Sequence, residues 1–232
     1  LARGRDLLDR ALHLFGSSGD LLGEATTVIA ILDNCFAHAG DLAVLDQWIS
    51  TLRNLLSSKT LSNERELWAR LHVRYLRALV VREPLGEATT QAAARTRALL
   101  DEDVSLDVRL YGAAVLLILD PVLDGRADPP FIGRDVARLM DDQLAQNPEP
   151  SAAMRFYFYM RSTQYILGTL STPGSRETGA RRWSSEAPAD FGPMAIDMWR
   201  LQSQVLLYER RYAEARQMLV AHVAPGMDKI RS

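Results

Sequence analysis

The stretch DLLGEATTVIAILDNCFAHAGDLAVLDQWISTLRNLL, residues 20–56, decides the fold. Asp20 is an N-cap candidate, with Glu24 in the first turns of the helix that follows. Val28, Ile29, Ile31, Leu32, Cys35 and Phe36 make a wide apolar face at helical spacing. Gly40 supplies the left-handed stop and Asp41 caps a second helix. There Leu42, Leu45, Trp48, Ile49, Leu52, Leu55 and Leu56 recur at three and four. A hairpin of two such helices keeps apolar stripes on its outer sides. Only a neighbour on each side buries them, so hairpins of this kind stack.

The same unit recurs along the chain. The second helix of each pair ends alike: Ala11 to Phe15, Leu52 to Leu56, Thr96 to Leu100, Val136 to Met140 and Ala215 to Leu219. Counted from their last residues, the steps are 41, 44, 40 and 79. The last step spans two units and leaves room for one more pair, a long aromatic helix at 152–170 and a partner at 175–190. That partner reads either as a short helix anchored by Trp183 or as a long loop. The remaining helices are expected at 6–15, 63–83, 86–100, 105 to about 121 or 125, 133–146, 194–210 and 212–223. Ser57 to Leu61 reads as a linker, with Ser62 or Asn63 capping the helix after it. Pro84 stops that helix, and Asn147-Pro148-Glu149-Pro150 breaks the chain. No stretch alternates as a strand does. The expected fold is all-α, an α-α superhelix of about five hairpins in one domain over residues 1–232.

Composition narrows the function. The 232 residues carry a net charge of −2, which gives no electrostatic reason to expect nucleic acid or an anionic membrane as a direct partner. The longest apolar run, Leu110 to Leu119, is half the length of a membrane span of about 20 residues. The single cysteine, Cys35, sits on an apolar face and reads as a small buried hydrophobe, which suits a reducing, cytoplasmic setting. Leu1 is not an initiator methionine, so the sequence is expected to be part of a longer chain. Lys59 and Lys229 are the only lysines among 27 basic residues, an arginine bias that fits a GC-rich genome.

Neither catalysis nor a cofactor is expected. The four histidines, His13, His38, His72 and His222, lie on different helices without ligands at metal spacing. No serine sits in a Gly-x-Ser-x-Gly elbow. Two features can bind. Arg70, Arg74 and Arg77 line one helix face at spacings of four and three. They read either as a solvated, paired face or as a clamp for an anionic ligand or acidic peptide. Tyr157, Arg161 and Gln164 share another face, on the helix that carries the aromatic run Phe156 to Tyr159. Most of that run reads as core, while this face has the aromatic and hydrogen-bonding groups a small effector uses.

Two resemblances sharpen this picture. Leu206 to Arg216 resembles the turn of a tetratricopeptide repeat, with Tyr212 and Ala215 at the aromatic and small positions and Arg210 near the family's turn glycine. Arg10 to Phe15, Gly19-Asp20, Gly23-Glu24-Ala25, Gly40-Asp41-Leu42, Leu45 to Ile49, Arg77-Ala78-Leu79 and Arg82-Glu83-Pro84 resemble the repeat region of large bacterial signal-transduction ATPases. Regulators of the maltose-activator type are among them. The resemblance implies the sensor region of a cytoplasmic transcriptional regulator. It would bind an effector or protein partner in a concave groove, with an ATPase or output module elsewhere in the full-length protein. Neither a phosphate-binding Gly-x-x-x-x-Gly-Lys-Ser/Thr loop nor a basic helix-turn-helix occurs in this stretch. The alternative is a protein–protein adaptor using the same groove for a peptide.

Overall fold

The computed structural model describes residues 2–38, 42–123, 133–146, 203, 206–207 and 210–223. The chain divides into two compact units, Leu1–Glu149 and Pro150–Ser232. The proline-bracketed break read from the sequence falls at that division. All regular structure among the described residues is helical. The expected helices at 152–170, at 175–190 and over most of 194–210 lie outside the described residues, as does the Gly40-Asp41 turn.

The first unit contains α1 (Ala2–Ser18), α2 (Leu21–His38), a 3₁₀ turn (Leu42–Val44), α3 (Leu45–Leu56), α4 (Lys59–Ser62), α5 (Arg65–Arg82), α6 (Glu87–Leu99), α7 (Leu106–Leu123) and α8 (Gly133–Ala145). The α1–α2 turn is closed by local chemistry. Gly19 takes φ +72°. Its N–H reaches Gly16 O at 3.3 Å and the Asp20 N–H reaches Phe15 O at 3.0 Å, which satisfies two orphan carbonyls of α1. Asp20 then caps α2, its Oδ1 accepting from the Gly23 N–H at 2.9 Å.

Two local expectations are corrected. The Ser57–Leu61 linker contains the short helix α4, because Leu61 is fully buried against α2, α3 and α5 and draws the chain inward. Neither Ser62 nor Asn63 caps α5. The helix starts from Glu64, with no side-chain cap.

Packing follows chain order. α2 packs on α1, α3 and α5; α5 packs on α2, α3, α4, α6 and α7; α7 packs on α5, α6 and α8. The first helices of successive pairs, α2, α5 and α7, therefore touch one another in sequence. Each of α3 and α6 lies against its own first helix and the next one. The core runs through Val28, Leu32, Leu45, Leu52, Leu61 and Leu71. Each such leucine removed from water contributes about 2 kcal/mol. α7 is buried almost all round, from Leu110 to Leu117. At its centre Gly112 lets α7 close on both neighbours, since a Cβ there would lie 3.2 Å from Thr96 of α6 and 3.4 Å from Val73 of α5.

In the second unit α9 (Tyr212–Met218) runs into a π-helical turn, Leu219–Val223. The turn before α9 repeats the α1–α2 turn. Arg210 takes φ +61°. The Arg210 N–H bonds Leu207 O at 3.1 Å and the Arg211 N–H bonds Leu206 O at 2.9 Å. Arg210 thus stands in the left-handed conformation that a turn glycine would favour. Ala215 is buried, whereas Tyr212 is 62% exposed and does not pack as a repeat aromatic would.

A left-handed residue with a Cβ costs about 1–2 kcal/mol. Arg210→Gly is therefore expected to stabilise this turn by about 0.5–1 kcal/mol after the extra entropy of unfolded glycine is deducted. Hydrogen exchange of the α9 amides in the full chain should slow about two- to fivefold. Unchanged or faster exchange would contradict the assignment.

Candidate interaction site

The arginine stripe lies on α5, the rod touching most neighbours in the first unit. The structure gives each arginine a different environment. Arg74 reaches back to α2 and holds Asp33 with two bonds, Nε to Oδ1 at 3.2 Å and Nη2 to Oδ2 at 2.8 Å. Its side chain is only 12% exposed. The guanidinium lies 4.3 Å from the ring centre of Tyr111 on α7. Arg77 lies 4.1 Å from the Phe36 ring of α2 and donates to Tyr111 Oη. Burial pushes the Tyr111 phenol up, against the opposing pull of Arg77 and Arg74, so it stays protonated at neutral pH. Asp33, Phe36, Arg74, Arg77 and Tyr111 thus tie the three first helices α2, α5 and α7 together.

Arg70 stands apart. It pairs with Glu66 one turn back at 3.1 Å and is 47% exposed. Glu66 also accepts from the Ser105 N–H at 2.9 Å and from Ser105 Oγ at 2.6 Å. Ser105 sits just before α7, so Glu66 satisfies the first donor of α7 from another helix. Burial alone would raise the Glu66 carboxyl, but the Ser105 bonds and Arg70 outweigh it and hold it below the ordinary carboxylate range.

The solvated-face expectation for the stripe therefore fits Arg70, while Arg74 and Arg77 are built into the helix stack. Tyr157, Arg161 and Gln164 lie outside the described residues. Phe36 was read from the sequence only as part of an apolar face, and Asp33, Glu66, Ser105 and Tyr111 were given no binding role. The available signal was the step: the pairs Asp33–Arg74, Arg77–Tyr111 and Glu66–Ser105 are separated by 41, 34 and 39 residues, close to one repeat.

A second polar cluster joins α5, α6 and the α6–α7 loop. The Trp68 and His72 rings meet edge to face, 3.9 Å between centres. Arg95 lies 4.6 Å over Trp68 and pairs with Glu102 at 2.5 Å. Neither His72 nitrogen has a protein hydrogen-bond partner. Burial first, then the neighbouring Arg95 charge, lowers the His72 pKa to about 4; Glu102 opposes this in part. His72 is therefore a neutral packing residue at pH 7. Among the described residues no group of histidine, cysteine and carboxylate side chains can hold a metal ion, and no helix is long and apolar enough to cross a membrane. Cys35 is half-buried against the α2–α3 core.

No family model matches the chain, and no curated protein or solved structure matches it.

Two outcomes are expected. Asp33→Ala leaves the covered Arg74 guanidinium without its carboxylate and should cost about 2–3 kcal/mol in urea unfolding. Arg70→Ala, at an exposed pair, should change stability by less than about 0.5 kcal/mol; equal effects would refute the division between tied and rim arginines. The second outcome concerns pH. The unfolded chain protonates His72 near 6.5 and the folded chain near 4, so the unfolded state binds more protons in between. Stability from neutral His72 is thus complete above pH 6.5 and lost progressively as pH falls to 4, up to about 3 kcal/mol. His72→Phe keeps the contact with Trp68 and should flatten the pH dependence in that window.

Proposed function

We propose that this chain is an interaction module built as a tetratricopeptide-like superhelix, the sensor region of a cytoplasmic bacterial transcriptional regulator. An effector or protein partner is captured along the row of first helices, in a concave groove. The observation that carries this reading is the order of helix packing in the first unit. α2, α5 and α7 follow one another, and the second helices α3 and α6 each rest between two of them. Units stacked in this way present a continuous inner wall.

The mechanism rests on the ties across that wall. Asp33, Arg74, Tyr111, Arg77 and Phe36 link three successive first helices through directional contacts. A ligand that prefers one spacing of these helices shifts the population of the stack toward it. An attached ATPase or output module receives that shift as a change in the packing it rests on. The ligand's differential affinity for the two spacings sets the size of the effect.

A peptide-binding adaptor is the second reading. The exposure of the Asp33 side chain (41%) and of Arg70 favours it, because they leave a polar surface beside guanidinium groups already engaged. Calorimetry of the chain against a panel of small oligosaccharides and a glutamate-rich peptide separates the two. Oligosaccharide binding with micromolar affinity supports the effector reading; peptide binding alone supports the adaptor. Arg70→Glu, which spares the ties, is expected to weaken peptide binding at least tenfold. An unchanged affinity would remove the stripe from the site, and no binding of either class would overturn the sensor reading.

A further inference from the structure

A cleft of about 590 Å³ opens between α1 and α3, away from the arginine ties. Leu12 of α1 with Val44 and Trp48 beside it on the α3 side provide apolar lining. Trp48 is itself buried, 8% exposed, and so is fixed in place by the core. Asp9 and His13, one turn apart on α1, and Gln47 on α3 add polar groups. Their side chains make no hydrogen bond or ion pair with other described residues. The cleft is open to solvent, and its volume lies within the range of small-molecule sites.

Gly16 supplies an independent observation. It sits inside α1 and lines the cleft. A Cβ built there meets nothing within 4 Å, and its φ is not in the left-handed region, in contrast to Gly19. Neither packing nor backbone geometry requires glycine at this position, although glycine in a helix is unfavourable relative to alanine. Its effect is to leave bare backbone on the cleft wall, where a flat group can approach closely.

Among the described lining residues Asp9 is the one formally anionic side chain, and there is neither lysine nor arginine. The geometry points to a site for a small organic cation with a planar apolar body. The ammonium group would pair with Asp9. The planar body would lie against the Gly16 backbone and the Leu12–Trp48 lining, with His13 and Gln47 free to hydrogen-bond its polar substituents. This site does not depend on the inner-wall reading, since none of its lining residues lies on α2, α5 or α7.

The test titrates the intact chain with phenethylamine, 2-phenylethanol and 3-phenylpropionate, followed by NMR shifts of the α1 and α3 amides. The expected order is amine, then alcohol at least tenfold weaker, then carboxylate without measurable binding. Asp9→Asn should weaken the amine at least tenfold and leave the alcohol unchanged. Gly16→Ala should raise the melting temperature while weakening both ligands at least fivefold. Both positions are exposed, and circular dichroism verifies that the variants remain folded. Amine affinity no greater than that of the alcohol, an amine indifferent to Asp9→Asn, or a Gly16→Ala variant that binds as tightly as the parent would overturn the proposal.

Discussion

A guanidinium held between two other helices is the constraint around which the first unit is arranged. Arg74 of α5 is gripped by Asp33 of α2 and faced by Tyr111 of α7. A charge so covered is costly unless it is paired and hydrogen-bonded, so these groups are fixed together. Apolar burial cannot do this alone. It is non-directional, and one helix slid along another by a turn still buries leucines. The Asp33 fork and the aromatic faces of Phe36 and Tyr111 distinguish the right register from the wrong one.

The helical turns solve a different problem with little material. At Gly19-Asp20 one residue turns left-handed to end a helix and the next caps the helix that follows. At Arg210-Arg211 the backbone makes the same turn with arginine in the left-handed place. There the Arg211 side chain holds Glu214 by two bonds, 2.8 and 2.6 Å, across the first turn of α9. The exposed pair adds little by itself. The backbone bonds to Leu206 and Leu207 are what close the turn.

Helices bounded by their own chemistry were legible in the sequence. The Asp20 cap and the Pro84 stop act over a few residues, and the structure follows them and the expected spans of α5, α6 and α8 closely. α4 was not legible, because four residues carry no period; the burial of Leu61 makes that segment fold. The arginine stripe was half legible. Spacings of four and three place Arg70, Arg74 and Arg77 on one face, but they do not say whether that face meets water or another helix. The answer lies about one repeat earlier in Asp33 and one repeat later in Tyr111. Asp33 is an acid in a largely apolar helix, which was a signal, but only the repeat step gives it a partner.

The two kinds of contact divide the work within the unit. Where α7 meets α5 and α6, Gly112 admits close approach and the neighbouring surface is Val73, Thr96 and Leu100. Where α2, α5 and α7 meet near Arg74, the contacts are polar and aromatic, and Asp33 still reaches water. Changing the first would open voids in a packed core, which proteins resist strongly. Changing the second keeps most of the apolar burial but leaves a covered guanidinium without its carboxylate, which is costly in its own way. The core therefore sets how closely the helices approach, and the polar seam sets their register.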